Sequence, residues 1–226
     1  MTALMADPKL LWYAARSTGA VSLALLTFTM VLGLTAARRV GSSRWPRFVT
    51  QSLHRTVSLL AVLLLAGHVA ALVLDDFVEI RLVEAFVPFV GSYRPLWLGL
   101  GAIATDLVLL LVVTSLLRSR LPHAVWRGVH VTAYACWPVA VLHGLGTGTD
   151  PRHGWFVVLT LACAALVAGA LLRRLWTATA RPAALRIAAG VLTLAALAGI
   201  AGWAGEGPLQ PGWAARAGTP ATGEGN

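Results

Sequence analysis

Four histidines, His54, His68, His130 and His143, lie inside long apolar segments of this chain. His54 and His68 are fourteen residues apart, and His130 and His143 thirteen. Histidine is costly inside a bilayer and needs a partner there, so each marks a candidate functional site. Neutral imidazole is the commonest metal ligand and an axial ligand of haem iron. Two helices that each offer two histidines, one near each membrane surface, are suited to clamp two stacked haems. A zinc or copper transport site would instead gather its ligands within a few ångströms.

The elements that carry these residues must run parallel and present them at matching depths. In a helix over 52–74, fourteen residues rise about 21 Å and return the two rings to within about 40° of one face. A second helix over 125–147 separates His130 from His143 by about 19.5 Å but leaves the rings about 140° apart on a straight axis. Pro138 lies between them and removes a backbone hydrogen bond, so a kink there is expected to change the phase. Depth then pairs His54 with His130 near one surface and His68 with His143 near the other. Each pair would hold a six-coordinate haem b, suited to electron transfer rather than to oxygen binding at iron. The sequence contains no C-x-x-C-H, which excludes c-type attachment.

Composition agrees with a membrane setting. The 226 residues are 58% hydrophobic and 12% charged, far below the charge of a soluble domain. Apolar stretches long enough to span the hydrocarbon core recur near 11–36, 52–74, 96–118, 125–147, 155–173 and 184–204. The fold class expected is all-α, a six-helix integral membrane bundle over 11–204 with the haems between its second and fourth helices. An N-terminal extension over 1–10 and a disordered tail over 205–226, rich in Gly, Pro and Ala, complete the chain. The first span lacks a basic start and runs into Arg38 and Arg39, so it reads as a retained helix.

The net charge of +9 is a topology signal and not a nucleic-acid footprint. Arg38, Arg39, Arg44, Arg47 and Arg55 fall in or beside the first loop, Arg118, Arg120 and Arg127 flank the third, and Arg173, Arg174, Arg181 and Arg186 the fifth. Asp7, Asp75, Asp76, Glu79, Glu84, Asp150, Glu206 and Glu224 all lie on the other side. The positive-inside rule puts loops one, three and five in the cytoplasm and both termini outside, at the plasma membrane.

Arginines beside the histidines are candidates for the haem propionates, which they bind bidentately. Arg55 and Arg127 lie near the inner pair, where anchoring at the membrane surface explains them equally well. Arg16 sits near the outer pair and needs a propionate or an acidic partner. Asp106, midway along the third span, reads as an ion-pair partner or a proton site. His123 and His153 read as solvated surface residues, and Trp126, Tyr134 and Trp137 as packing or belt residues. Trp137, between the two haem levels, could also shorten an electron path. Cys136 and Cys163 read as small buried hydrophobes. The outer loop 75–95 alternates apolar residues with acids and suits an amphipathic piece ending near Pro88, a lid on the bundle or a docking surface.

Several motifs resemble those of the ferric reductase-like transmembrane domain family. They are Arg16-Ser17-Thr18-Gly19 opening the first helix, Leu53-His54-Arg55 with His68, Thr114-Ser115 with Arg118, and Trp126-Arg127-x-x-His130-x-x-x-Tyr134 with His143. The family includes the membrane halves of ferric reductases and NADPH oxidases and the haem subunit of the bacterial methionine sulfoxide reductase system. The resemblance covers about residues 14–175 and implies two haem b groups carrying electrons outward. The large members carry a FAD and NAD(P)H dehydrogenase, and no nucleotide fingerprint occurs in these 226 residues. A separate flavin reductase or quinol donor is therefore implied, with a flavin or quinone at the cytoplasmic face. The acceptor is expected outside, as ferric iron, oxygen or a protein. The alternatives are a quinol-coupled cytochrome b subunit of another oxidoreductase and a haem- or metal-binding transporter without redox turnover.

Overall fold

A computed structural model of the chain describes residues 9–36, 46–75, 78–148, 150–177 and 182–219. The helices are α1 (Leu10–Ala36), α2 (Arg47–Val73), α3 (Pro95–Leu116), α4 (His123–His130), α5 (Ala133–Thr147), α6 (Gly154–Trp176), α7 (Ala183–Glu206) and the short α8 (Trp213–Arg216). No strand occurs among the described residues. Five helices, α1, α2, α3, α6 and α7, are long and apolar enough to cross a membrane. The chain is a multi-pass membrane protein.

Local chemistry explains where these helices start and why they tolerate polar residues. Pro46, Pro122 and Pro182 stand at the N-caps of α2, α4 and α7 in extended conformation, with ψ of 148°, 136° and 138°. Proline there fixes φ where no intrahelical N–H bond is required. Within α1, the hydroxyls of Ser17, Thr18, Thr27 and Thr35 each bond a carbonyl one turn back. Their side chains can therefore face an apolar surround with their donors satisfied.

The fourth expected span is not one helix. It is divided at Val131–Thr132 into α4 and α5. Bonds from Thr132 N–H to Val129 O, Tyr134 N–H to Val131 O and Ala135 N–H to Thr132 O, at 2.9 to 3.0 Å, tighten this stretch to a 3₁₀ turn. Each such residue advances about 120° instead of about 100°. A tighter turn at Val131 and Thr132, with ψ of −24° and −15°, shifts the phase between His130 and His143 in the direction that reduces their mismatch. The break thus falls at Val131–Thr132, and Pro138 lies inside α5.

Packing builds two helix pairs. α1 lies along α2, and α3 along α5, while α1 also touches α5 and α6. α2 and α5 hardly touch one another among the described residues. The core forms where α1, α5, α6 and α7 converge on Leu23, Trp137, Val141, Leu145, Phe156, Cys163 and Ala204. Trp137 donates its indole N–H to Thr27 Oγ1 at 2.9 Å. It belongs to this core and packs on α1, which favours the packing role over the electron-path role for this residue.

The loop 75–95, expected as an amphipathic piece, has little regular structure among its described residues. It holds only a 3₁₀ turn, Leu82–Ala85, with Ile80 and Glu84 buried. Leu82, Val83, Phe86, Val87, Phe89 and Val90 point outward. Arg81 Nε donates to Glu84 Oε1 at 2.9 Å, which lets the acid turn inward. Asp76 and Phe77 lie outside the described residues.

The expected disordered tail is another correction. Residues 207–219 are placed against the start of α3 and the end of α5. Trp213 donates its indole N–H to Gly146 O at 2.9 Å and packs on Trp97 and Trp203. Arg94, buried and in the left-handed region with φ of 41°, accepts the role of a clasp. Its backbone N–H bonds Gly218 O, its Nε bonds Thr219 Oγ1, and its Nη1 bonds the carbonyls of Gly146, Thr147 and Gly148. These include carbonyls that the end of α5 leaves without intrahelical donors, and a cation at a helix C-terminus also complements its dipole. The last residues, 220–226, and the first, 1–8, lie outside the described residues.

Candidate functional site

The gap between α2 and the α4–α5 segment is bridged at two levels by imidazoles. The ring centroids of His54 and His130 are 6.3 Å apart, and those of His68 and His143 are 6.4 Å apart. An imidazole nitrogen lies about 1.15 Å from its ring centroid and a metal–imidazole bond is about 2.0 Å long, so two rings on opposite sides of one ion sit about 6.3 Å apart. Direct stacking or van der Waals packing does not require that number at both levels. The interplanar angles are 65° for the first pair and 81° for the second.

Three of the four rings are oriented in the same way. His54 Nδ1 donates to Thr29 O at 3.1 Å, His68 Nδ1 to Ala15 O at 2.8 Å, and His143 Nδ1 to Trp97 O at 2.9 Å. A backbone carbonyl can only accept, so Nδ1 carries the proton in each ring and Nε2 keeps its lone pair. This is the second-shell arrangement usual for metal-ligating histidine.

Glycine stands beside each of these contacts, and at two of them its missing Cβ makes the room for the ring. Four residues after each acceptor stands Gly33, Gly19 or Gly101. A Cβ at Gly33 would lie 3.5 Å from His54 Cε1, one at Gly19 3.0 Å from His68 Cε1, and one at Gly101 2.5 Å from His143 Cε1. In a helix the carbonyl of residue i points toward residue i+4, so a side chain there would cover it. At Gly19 and Gly101 the missing Cβ lets the imidazole reach the carbonyl, while at Gly33 the ring would meet a Cβ only at ordinary contact distance. Sequence reasoning had not found this cradle, although Ala15 and Gly19 repeat as Thr29 and Gly33 fourteen residues later, the same spacing as His68 and His54.

His130 is the exception. Its Nδ1 is buried without a partner, and its ring stacks on Trp126 with centroids 4.8 Å apart and planes at 21°. The Arg118 guanidinium lies over the Trp126 ring at 4.6 Å. Trp126 thus contacts a candidate ligand directly, a role its reading as a belt residue did not include. The signal was its position one helical turn before His130.

Among the arginines, Arg16 has found its acid. Its Nη2 pairs with Asp150 Oδ1, and its Nε donates to Asp150 Oδ2 at 2.6 Å. The guanidinium also lies over the Trp12 ring at 4.0 Å. Of the two partners open to Arg16, the structure supplies the acidic one, which fastens the start of α1 to the segment after α5. Asp150 is 7% exposed and Arg16 22%. Breaking a fully buried pair costs about 3–5 kcal/mol, and the exposure of Arg16 reduces that, so Asp150→Ala should destabilise by about 2–3 kcal/mol. Thermal unfolding in detergent measures this, and Arg16→Met combined with Asp150→Leu should recover much of the loss.

Arg55 and Arg127 are exposed, and no acid of the described residues pairs with either. Asp106 is exposed on α3 with no cation or donor reaching it among the described residues, so it is not the ion-pair partner expected. His123 and His153 are exposed, beside Trp126 and Asp150 respectively. Cys136 and Cys163 are buried on different helices. No group of three or more His, Cys, Asp or Glu side chains gathers for a metal ion among the described residues. The histidines stand as two pairs.

The chain's own residues therefore fit haem better than a bare ion. They offer two facing imidazoles per level, three of the four oriented from behind by a backbone carbonyl, across a gap that helix packing leaves open. No curated protein and no solved structure matches the chain. Residues 18–141, just over half the sequence and including His54, His68 and His130, match the family model described as ferric reductase like transmembrane component, and the chain belongs to that family.

Proposed function

We propose that this chain is a di-haem b electron-transfer subunit that carries electrons from the cytoplasmic to the outer face of the plasma membrane. The observation that carries this reading is the pair of matched ring separations, 6.3 and 6.4 Å, at two levels. Haem b held by each histidine pair would supply a one-electron couple there.

The residues have distinct tasks in this scheme. His54 and His130 hold the inner level, and His68 and His143 the outer one, about 21 Å apart along α2. Thr29 O, Ala15 O and Trp97 O fix the tautomer and raise the donor strength of three of the rings. Arg55 and Arg127 remain available to carboxylates at the cytoplasmic face, while Arg16 is committed to Asp150. Basic loops inside and acidic loops outside orient the chain with both termini extracytoplasmic. A membrane potential negative inside then assists outward transfer by about 2.3 kcal/mol per charge for each 100 mV crossed. The donor is a separate flavin reductase or quinol, and the acceptor is ferric iron or a protein outside.

Purified protein should show a reduced-minus-oxidised haem b spectrum, with about two haems per chain by pyridine haemochrome. The near-perpendicular rings, 65° and 81° apart, should also give a strongly anisotropic low-spin ferric EPR signal at both sites. Perpendicular imidazoles leave the two iron orbitals that interact with them nearly equal in energy, which spreads the g values. Protein that carries no haem after expression in haem-replete cells would sink the proposal. Reduction by quinol in vesicles, set against reduction by a flavin reductase, separates the two donors.

A further inference from the structure

The two haem levels are not built alike, and the difference is confined to one residue. His54, His68 and His143 each have the same cradle, a carbonyl at one position and glycine four residues on. His130 has none. Thirteen and fourteen residues beyond Gly101, where α3 reaches the corresponding depth, stand Thr114 and Ser115. The Thr114 hydroxyl there already bonds its own helix at Leu110 O, 2.7 Å away. In place of a carbonyl, His130 has the Trp126 face at 4.8 Å, and Trp126 has Arg118 at 4.6 Å. The indole Nε1 and His130 Nδ1 are both buried and unpaired.

Resting on the haem reading above, we infer that Trp126 and Arg118 are positioning residues of the inner haem, replacing the carbonyl–glycine cradle and holding that haem's reduction potential up. Two effects point the same way. A ligand whose Nδ1–H meets a carbonyl acquires imidazolate character and stabilises the ferric state, and His130 lacks this. A guanidinium one ring away disfavours the extra positive charge of the ferric state. The aromatic stack supplies the orientation that a hydrogen bond supplies at the other three rings.

The test is a spectroelectrochemical titration of the full-length protein in detergent. A His54→Ala variant removes the inner level and a His68→Ala variant the outer one, which assigns each wave. Arg118→Gln should move the inner wave to lower potential and leave the outer wave in place, and Arg118→Lys should restore it. Trp126→Leu should shift the inner wave down and broaden the inner EPR signal, while Trp126→Phe keeps the stack and stays close to the unsubstituted protein. Unchanged potentials in Arg118→Gln and Trp126→Leu, or equal shifts of both waves, would overturn the inference. The outcomes are separable from failure of the haem reading. That failure appears as missing haem in the unsubstituted protein, whereas this one appears in a fully loaded protein whose inner wave ignores the stack. Retained outer haem in each variant shows that the bundle still folds.

Discussion

His68→Ala should lower haem content from about two per chain to about one and abolish reduction of any external acceptor, while the inner haem stays reducible by the cytoplasmic donor. His143→Ala should do the same, because the two rings form one site with centroids 6.4 Å apart. The double variant should be no worse than either single one, since removing either ring already takes away one of the two residues that would hold the haem. His54→Ala should mirror the result at the inner level. It would leave the outer haem present in the spectrum but no longer reducible from the cytoplasm. Haem quantitation and stopped-flow reduction in vesicles read both quantities. Two haems and full external reduction in His68→Ala would falsify the pairing.

A graded loss is expected when each cradle glycine becomes alanine. Alanine is worth about 1 kcal/mol over glycine in a helix interior, so propensity alone favours all three changes. Steric contact decides the sign. At Gly101 the new Cβ would meet His143 Cε1 at 2.5 Å and Nδ1 at 2.6 Å, and the ring must move off Trp97 O. Loss of that orienting bond should weaken outer haem binding by about 10–100-fold. At Gly19 the contacts are 3.0 and 3.1 Å with His68, which a small rotation of the ring relieves at an intermediate cost. At Gly33 the nearest atom is 3.5 Å away, ordinary contact, so Gly33→Ala should retain its haem and gain stability. Haem retention during gel filtration, together with melting temperature, should rank the variants Gly33, Gly19, Gly101. Any other order would remove the cradle from the explanation.

Hydropathy made much of the fold readable. The spans expected near 11–36, 52–74, 96–118, 155–173 and 184–204 correspond to α1, α2, α3, α6 and α7. The division of the remaining span was not readable, because a 3₁₀ turn at Val131–Thr132 leaves hydrophobic composition unchanged. The outer tail misled for a different reason. Gly, Pro and Ala describe a chain with little to bury, yet Trp213 reaches Gly146 O and Arg94 binds Gly218 and Thr219 across more than a hundred residues. The histidine pairs were legible because spacing and helix direction fix depth. The partner of Arg16 was not, since Asp150 lies 134 residues away in sequence. The cradle could have been read from the matched repeat of Gly19 and Gly33, once α1 was known to lie antiparallel beside α2.

The scant packing between α2 and α5 has a thermodynamic consequence. A ligand that binds only the assembled state stabilises it by mass action, in proportion to the logarithm of its free concentration over its dissociation constant. On the proposed function, haem held by histidines on both sides of that gap would act as such a ligand for the tertiary structure itself. The melting temperature should therefore rise with haem supply during expression. In haem-starved cells α2 would be held chiefly through α1, and the steady-state amount of the protein would report the haem economy of the membrane in which it is made.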